Sequence, residues 1–402
     1  MKKWVIFVLV SLFSVLSVSN ALKYLPEKYE FLIYIPDIAK LYDEVKKTNT
    51  GDIFANQVGL ESMITSVLEQ QLMVENYTLE DIDLFKELLI AGSENNLLVV
   101  LGPSKNPQKI KEIFEKFTGQ TLPDRVKIVD GYFIVGENYG GGEVPPRLKE
   151  YLTKNYLGLS YVKINDKTYE ASGYGYIESK NNTISFYQEI EPENEETKRL
   201  IEEVSNQQGM NILEDNNVGG DVFLFVNRKI PEFVLDLFSS ITTEASNTNI
   251  LKLKDFKGTA YLSADISSLI INALSGETPS SIPYFGVIYY DSPNWDLLEL
   301  DVNRFENIGG KKYGVITTEE GTPVTYIGLD NDKIVFYGVS PDKYKSGDRS
   351  FIENNYNNEY IMGLFVNFEP TIFNFVGIET EAYLKVYSYI KDGKIIQRAI
   401  FK

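Results

Sequence analysis

The sequence predicts an α+β protein with mainly antiparallel sheets, a helix-rich N-terminal unit followed by a β-dominated C-terminal one. Three observations carry this. Apolar residues recur at helical spacing through the first half and seldom beyond residue 250. Short apolar or alternating runs fill the second half. Asp130-Gly131 and Asp392-Gly393 join pairs of such runs as hairpin turns do.

Taken in order, Met1-Lys2-Lys3 precedes a run from Trp4 to Val18 broken only by Ser11, Ser14 and Ser17, and Ser19-Asn20-Ala21 follows as a small-x-small pattern. Basic, apolar and small segments in that order predict a signal peptide over 1–21, cut near Ala21, and export to the periplasm or cell surface. The apolar run is shorter than the ~20 residues of a membrane span. Lipid attachment at a new N-terminus is excluded, because it needs a cysteine and the chain has none.

Residues 29–35 read as a strand and Pro36 as the first turn of a helix whose Ile38, Leu41, Tyr42 and Val45 share one face. A second helix, 57–72, is expected to bury Leu60, Met63, Ile64, Val67 and Leu68. Thr78 and Asp81 resemble a capping box opening a helix with Ile82, Phe85, Leu88 and Leu89. Residues 97–101 form a central strand. Asn106-Pro107 opens a helix with Ile110, Ile113, Phe114 and Phe117 inward, and Gly119 stops it. Strands 126–129 and 132–135 form a hairpin, and 156–164, 169–178 and 183–190 a meander turned at Asn165-Asp166 and Asn181-Asn182. Pro192 opens a helix burying Leu200, Ile201 and Val204 behind an acidic first turn. Beyond it come a strand at 221–227, a helix after Pro231 and strands at 258–264, 284–290, 297–302, 313–317, 324–329 and 333–339. A strand at 361–367, a helix after Pro370 and strands at 382–390 and 394–401 complete the chain.

The polar stretch 214–220 marks the boundary, giving a 22–215 α+β domain and a 216–402 β-rich α+β domain. A strand–proline–helix unit recurs at Pro36, Pro231 and Pro370, and Leu-Phe-Val-Asn occurs identically at 224–227 and 364–367, the pattern an internal duplication leaves.

Composition narrows the chemistry. The chain of 402 residues carries a formal charge of −18, which disfavours nucleic acid as a partner. It has no cysteine and no histidine. Disulfides, thiolate metal sites, Ser-His-Asp or Cys-His hydrolysis and His-based zinc chemistry are therefore excluded. Carboxylate catalysis and calcium binding survive.

The suggestive constellations have plainer readings. Gly140-Gly141-Gly142 lacks the lysine of a phosphate loop and reads as a connector. Asp330-Asn331-Asp332 lacks the spaced acids, central glycine and final glutamate of a calcium loop and reads as a hairpin turn. Trp295 reads as a loop anchor. Glu189, Glu191, Glu193, Glu195 and Glu196 read as a solvated face rather than two carboxylates held across a cleft. No catalytic, cofactor-binding or metal residue is assigned.

Leu25-Pro26, the strand to Ile35, Pro36-Asp37 with the helix after it, and Thr48-Asn49-Thr50-Gly51 resemble the opening of an uncharacterised family of exported bacterial proteins, a domain of unknown function. The resemblance covers residues 25–150. It implies export and an α+β fold, and it carries over no functional residues.

These readings together predict an exported, non-enzymatic envelope protein of structural or interaction type, acting on an envelope component or protein, with peripheral membrane contact left open. The alternative is a periplasmic or surface binding module, in which aromatic strands such as 284–290 hold a lipid or other apolar ligand under the helix at 230–241. A carboxylate-only glycan hydrolase is the third reading.

Overall fold

A computed structural model describes residues 20–82, 86–93, 96–165, 168–229, 256–267, 282–295, 302 and 304–402. The leader pattern before Asn20, the helix expected after Pro231 and residues 297–301 of an expected strand lie outside the described residues. The chain divides into two compact units, Met1–Thr197 and Lys198–Lys402.

The first unit holds β1 (Phe31–Ile35), β2 (Glu87–Ser93), β3 (Asn96–Gly102), β4 (Val126–Val129), β5 (Tyr132–Val135), β6 (Gly158–Asn165), β7 (Glu170–Lys180) and β8 (Thr183–Pro192). They pair antiparallel in the order β4-β5-β3-β2-β1-β6-β7-β8. Period-2 alternation sends Leu32 and Tyr34 to one face, opposite Ala91 and Leu89 on one side and Tyr161 and Leu159 on the other. That face is the buried core of the unit. Asp130 and Gly131 have φ of 50° and 84°, the two left-handed residues a type I′ hairpin needs.

The longer helices of the first half are α1 (Ile38–Lys46), α2 (Leu60–Val74), α3 (Pro107–Thr118), α4 (Pro146–Leu152) and α5 (Glu195–Asn206). Five expectations need correction. Pro36 precedes the cap of α1 rather than entering its first turn, because Asp37 takes the cap and accepts from the Lys40 amide at 2.8 Å. On α2, Met63, Ile64, Val67 and Leu68 are exposed; the inward contact is at its C-terminal end, where Leu72 packs with Tyr77 and Ile113. On α3, Ile110 and Ile113 are buried while Phe114 and Phe117 are exposed. The helix expected from Ile82 to Leu89 is not formed among the described residues of that span. Thr78 and Asp81 do form a capping box, around the 3-10 turn Leu79–Asp81, but Leu88 to Ala91 continue as β2 between β1 and β3. Pairing on both edges and complete burial of Leu89 and Ala91 override the local helical spacing. Pro192 ends β8 instead of opening a helix, and Asn194 caps α5 by accepting from the Thr197 amide at 2.8 Å.

The second unit holds β9 (Val222–Asn227), β10 (Phe256–Ala264), β11 (Tyr284–Tyr290), β12 (Arg304–Ile308), β13 (Lys311–Thr317), β14 (Pro323–Leu329), β15 (Lys333–Tyr337), β16 (Met362–Asn367), β17 (Tyr383–Lys391) and β18 (Lys394–Phe401). The antiparallel order is β12-β13-β14-β15-β11-β10-β9-β16-β17-β18. Among the described residues two helices, α6 (Ser350–Asn355) and α7 (Glu369–Val376), accompany them. Antiparallel sheet thus dominates the described residues of both units. The two Leu-Phe-Val-Asn strands are neighbours: in β9 and β16, Leu224 opposes Leu364 and Phe223 opposes Phe365.

Candidate ligand-binding groove

Residues directly opposed in an antiparallel pair share a face. In the second unit the pairs Phe225–Tyr261, Ser263–Phe285, Phe285–Tyr337, Tyr326–Tyr337, Tyr313–Gly328 and Tyr289–Lys333 therefore put a band of aromatic rings on one face. The rings are in contact: Phe285 and Tyr337 centroids are 5.2 Å apart, Tyr313 and Tyr337 6.2 Å, Tyr261 and Tyr289 6.5 Å. Gly328 makes the room, since a Cβ there would stand 2.8 Å from Tyr313 Cε1.

The segment 208–217 is tied to this floor. Ile212 and Val218 are buried in the core. Tyr261 donates its hydroxyl to Asp215 Oδ2 at 2.8 Å, and Tyr344 to the Asn217 carbonyl at 3.0 Å. Arg349 Nη2 donates to the Leu213 carbonyl at 2.6 Å. Asn227, at the end of β9, holds both backbone groups of Met210, accepting from its N–H at 2.9 Å and donating to its carbonyl at 3.0 Å.

Between segment and floor runs a groove of about 1130 Å³. Tyr261, Phe285, Tyr289, Tyr313 and Tyr337 line it, with Glu214, Asp215, Asn216 and Asn217 on one side and Lys311, Asp330 and Lys333 among the remaining walls. A shallower depression of about 610 Å³, at Ser292, Pro293 and Asp332, shares Leu329 and Asp330 with it.

The charged groups of the wall are engaged with one another or with rings. Lys311 Nζ lies 3.0 Å from Asp330 Oδ1, a hydrogen bond that raises the lysine pKa. Lys333 Nζ stands 5.9 Å from the Tyr289 ring centre. Burial pushes the Tyr337 and Tyr344 phenols up to about 12. Burial, reinforced by the Asp215 carboxylate, pushes Tyr261 higher still. At neutral pH these phenols are uncharged ring faces and hydroxyls, with none poised as a base. Asp215 is bound by Tyr261 and Asp330 by Lys311, so the two carboxylates are committed to the walls. Among the described residues no group of three or more carboxylates is placed to hold a metal ion. The groove presents aromatic ring faces beneath a polar, hydrogen-bonding rim.

Of the residues singled out in the sequence, Asp330 and Trp295 both line the groove. Trp295 also packs against Ile327 and Ile334 and stands edge-on to Phe305 at 5.0 Å, the anchor role expected of it. Gly140–Gly142 is a connector whose Gly140 and Gly142 amides donate to the Tyr24 and Leu25 carbonyls. In the acid cluster Glu193, Glu195 and Glu196 are exposed as expected, while Glu189 and Glu191 are paired. Arg147 binds Glu189 and, at 2.7 Å, Glu191, while Glu193 receives the Ser172 hydroxyl. Sequence reasoning missed the wall at 208–217, of which only 214–217 was read, as part of a polar domain boundary; the signal was the apolar pair Ile212 and Val218 set in that polar region. No family model matches the chain, and no curated protein matches it.

Proposed function

We propose that the protein is an exported, non-catalytic envelope protein whose second unit binds a polar, ring-bearing ligand, best met by a carbohydrate chain. The observation that carries this is the groove of about 1130 Å³ with a tyrosine floor and a charged, hydrogen-bonding rim. Sugar rings offer C–H faces that lie on aromatic rings, and hydroxyls that exchange hydrogen bonds with asparagine, aspartate and lysine. A lipid would desolvate that rim without exchanging hydrogen bonds with it. The leader pattern before Asn20 supports export.

We also read the two units as tandem copies of one fold. Setting β12 and β13 aside, the order β14-β15-β11-β10-β9-β16-β17-β18 follows β4-β5-β3-β2-β1-β6-β7-β8 strand for strand. The helices α4 and α6 precede the matching strands β6 and β16. On this reading β9 matches β1, and β16 matches β6 rather than β1. The register then sets Gly102 and Gly136 where the groove has Tyr289 and Tyr337, so the first copy lacks two of the floor rings.

Trp295 lies beside the floor and reports on it. Titrating purified protein with fragments of envelope polysaccharides should shift its emission saturably, and Tyr289→Ala with Tyr337→Ala should abolish the shift. A protein silent to glycans that carries a bound lipid by native mass spectrometry would refute the reading.

A further inference from the structure

The leader pattern Ser19-Asn20-Ala21 suits cleavage after Ala21. The folded first unit argues for a different bond. Asn20–Tyr24 is a 3-10 helix, and Ala21 and Leu25 are 0% exposed, inside the core with Leu32, Leu89 and Leu98. The Ala21 amide donates to Glu87 Oε2 at 3.1 Å. The same oxygen accepts from Tyr34 at 3.2 Å, and Oε1 accepts from Tyr132 at 3.1 Å. Tyr34 and Tyr132 are 0% and 1% exposed, so Ala21 supplies one of three donors to a carboxylate set against the core. The next residues are stitched in as well: Tyr24 donates its hydroxyl to the Val129 carbonyl at 3.1 Å, and Lys23 pairs with Asp130 at 2.6 Å.

A second small-x-small pattern, Ser17-Val18-Ser19, lies two residues upstream. Both patterns satisfy a leader peptidase; only the upstream one keeps Ala21 on Glu87. We infer that the chain is cut between Ser19 and Asn20. Water adds across that peptide bond, leaving a carboxylate on Ser19 and an α-ammonium on Asn20, with the Ala21 amide still on Glu87. Under the tandem-copy reading, Asn20–Ile35 runs in step with residues 211–226 without a gap. Ala21 then matches the buried Ile212, which stands mid-chain where no leader is removed.

This inference rests on the export reading, and one experiment separates the two. The full chain is produced with its leader in a Gram-negative host, and the exported product is weighed intact. The expected mass is that of 20–402. An exported product beginning at Leu22 overturns the cleavage site and leaves export standing; an uncleaved chain retained in the cell overturns both. Chains made to begin at Asn20 and at Leu22 give the independent readout. The shorter one should melt at least about 3 °C lower, and equal midpoints would count against a core role for Ala21.

Discussion

Asn227 is 0% exposed and spends its whole amide on four hydrogen bonds. Nδ2 donates to the Met210 carbonyl at 3.0 Å and to Tyr356 Oη at 2.7 Å. Oδ1 accepts from the Met210 amide at 2.9 Å and from Thr259 Oγ1 at 3.3 Å. Asn227→Ala strips all four and frees the groove wall at its root. A buried polar group left unsatisfied costs about 1–3 kcal/mol. Met210 is exposed, so water recovers part of what its backbone loses. A loss of about 3–5 kcal/mol remains, a large share of the 5–15 kcal/mol typical of a folded protein. The assay is urea unfolding followed by Trp295 emission, since Trp4 departs with the proposed leader and leaves one indole. Asn367, the matching residue of the other Leu-Phe-Val-Asn, is the control: its side chain accepts one amide, that of Glu369, at 3.1 Å. Asn367→Ala should cost ~1 kcal/mol. Equal losses at the two sites, or less than about 1 kcal/mol at Asn227, would refute the reasoning.

Two further outcomes follow from buried charge. Arg147→Met leaves Glu189 and Glu191 facing each other without their shared cation; because all three are partly solvated, the loss should be ~1–2 kcal/mol, read as a lower melting midpoint, and an unchanged midpoint argues against the pairings. Burial raises the Asp221 pKa above 3.8, although the Ile266 and Ser267 amides, each at 2.7 Å, pull it back. The folded state therefore holds that proton more tightly than the unfolded chain, and stability falls as pH rises from 3.8 through the raised value. Asp221→Asn should flatten that part of the stability–pH curve; an identical slope from pH 4 to 7 in both proteins would exclude Asp221 as its source.

Strands were the legible part of this sequence. Tyr284–Tyr290 and Lys394–Phe401 stand where alternation and turn dipeptides put them. Helix faces were less so. Spacing identified α2, but spacing says only that Met63, Ile64, Val67 and Leu68 share a side, not that anything covers it. Leu88 to Ala91 satisfied helical and strand spacing alike, and the choice was made by β1 and β3, remote in sequence. β12 went unseen because Arg304, Phe305 and Asn307 are exposed, leaving no buried alternation to read.

The groove was legible only as an alternative, through strand 284–290, since a tyrosine buried beneath a covering layer and one lining a groove alternate identically along a strand. What separates them is the covering layer, and in this unit that layer is a polar run whose hold on the sheet depends on single side chains. Asn227, Tyr261, Tyr344 and Arg349 each fix a backbone carbonyl or carboxylate of residues 210–217. Contacts of that kind leave no periodicity, because each bond joins positions set by the sheet rather than by neighbouring residues. On the tandem-copy reading the first unit makes the contrast: Tyr24 stands where the second has Asp215, and it packs edge-on against Tyr132 at 5.5 Å. A ring in that place fills the space over the sheet. A carboxylate in the same place reaches one tyrosine hydroxyl and leaves the rest of the space open as the groove.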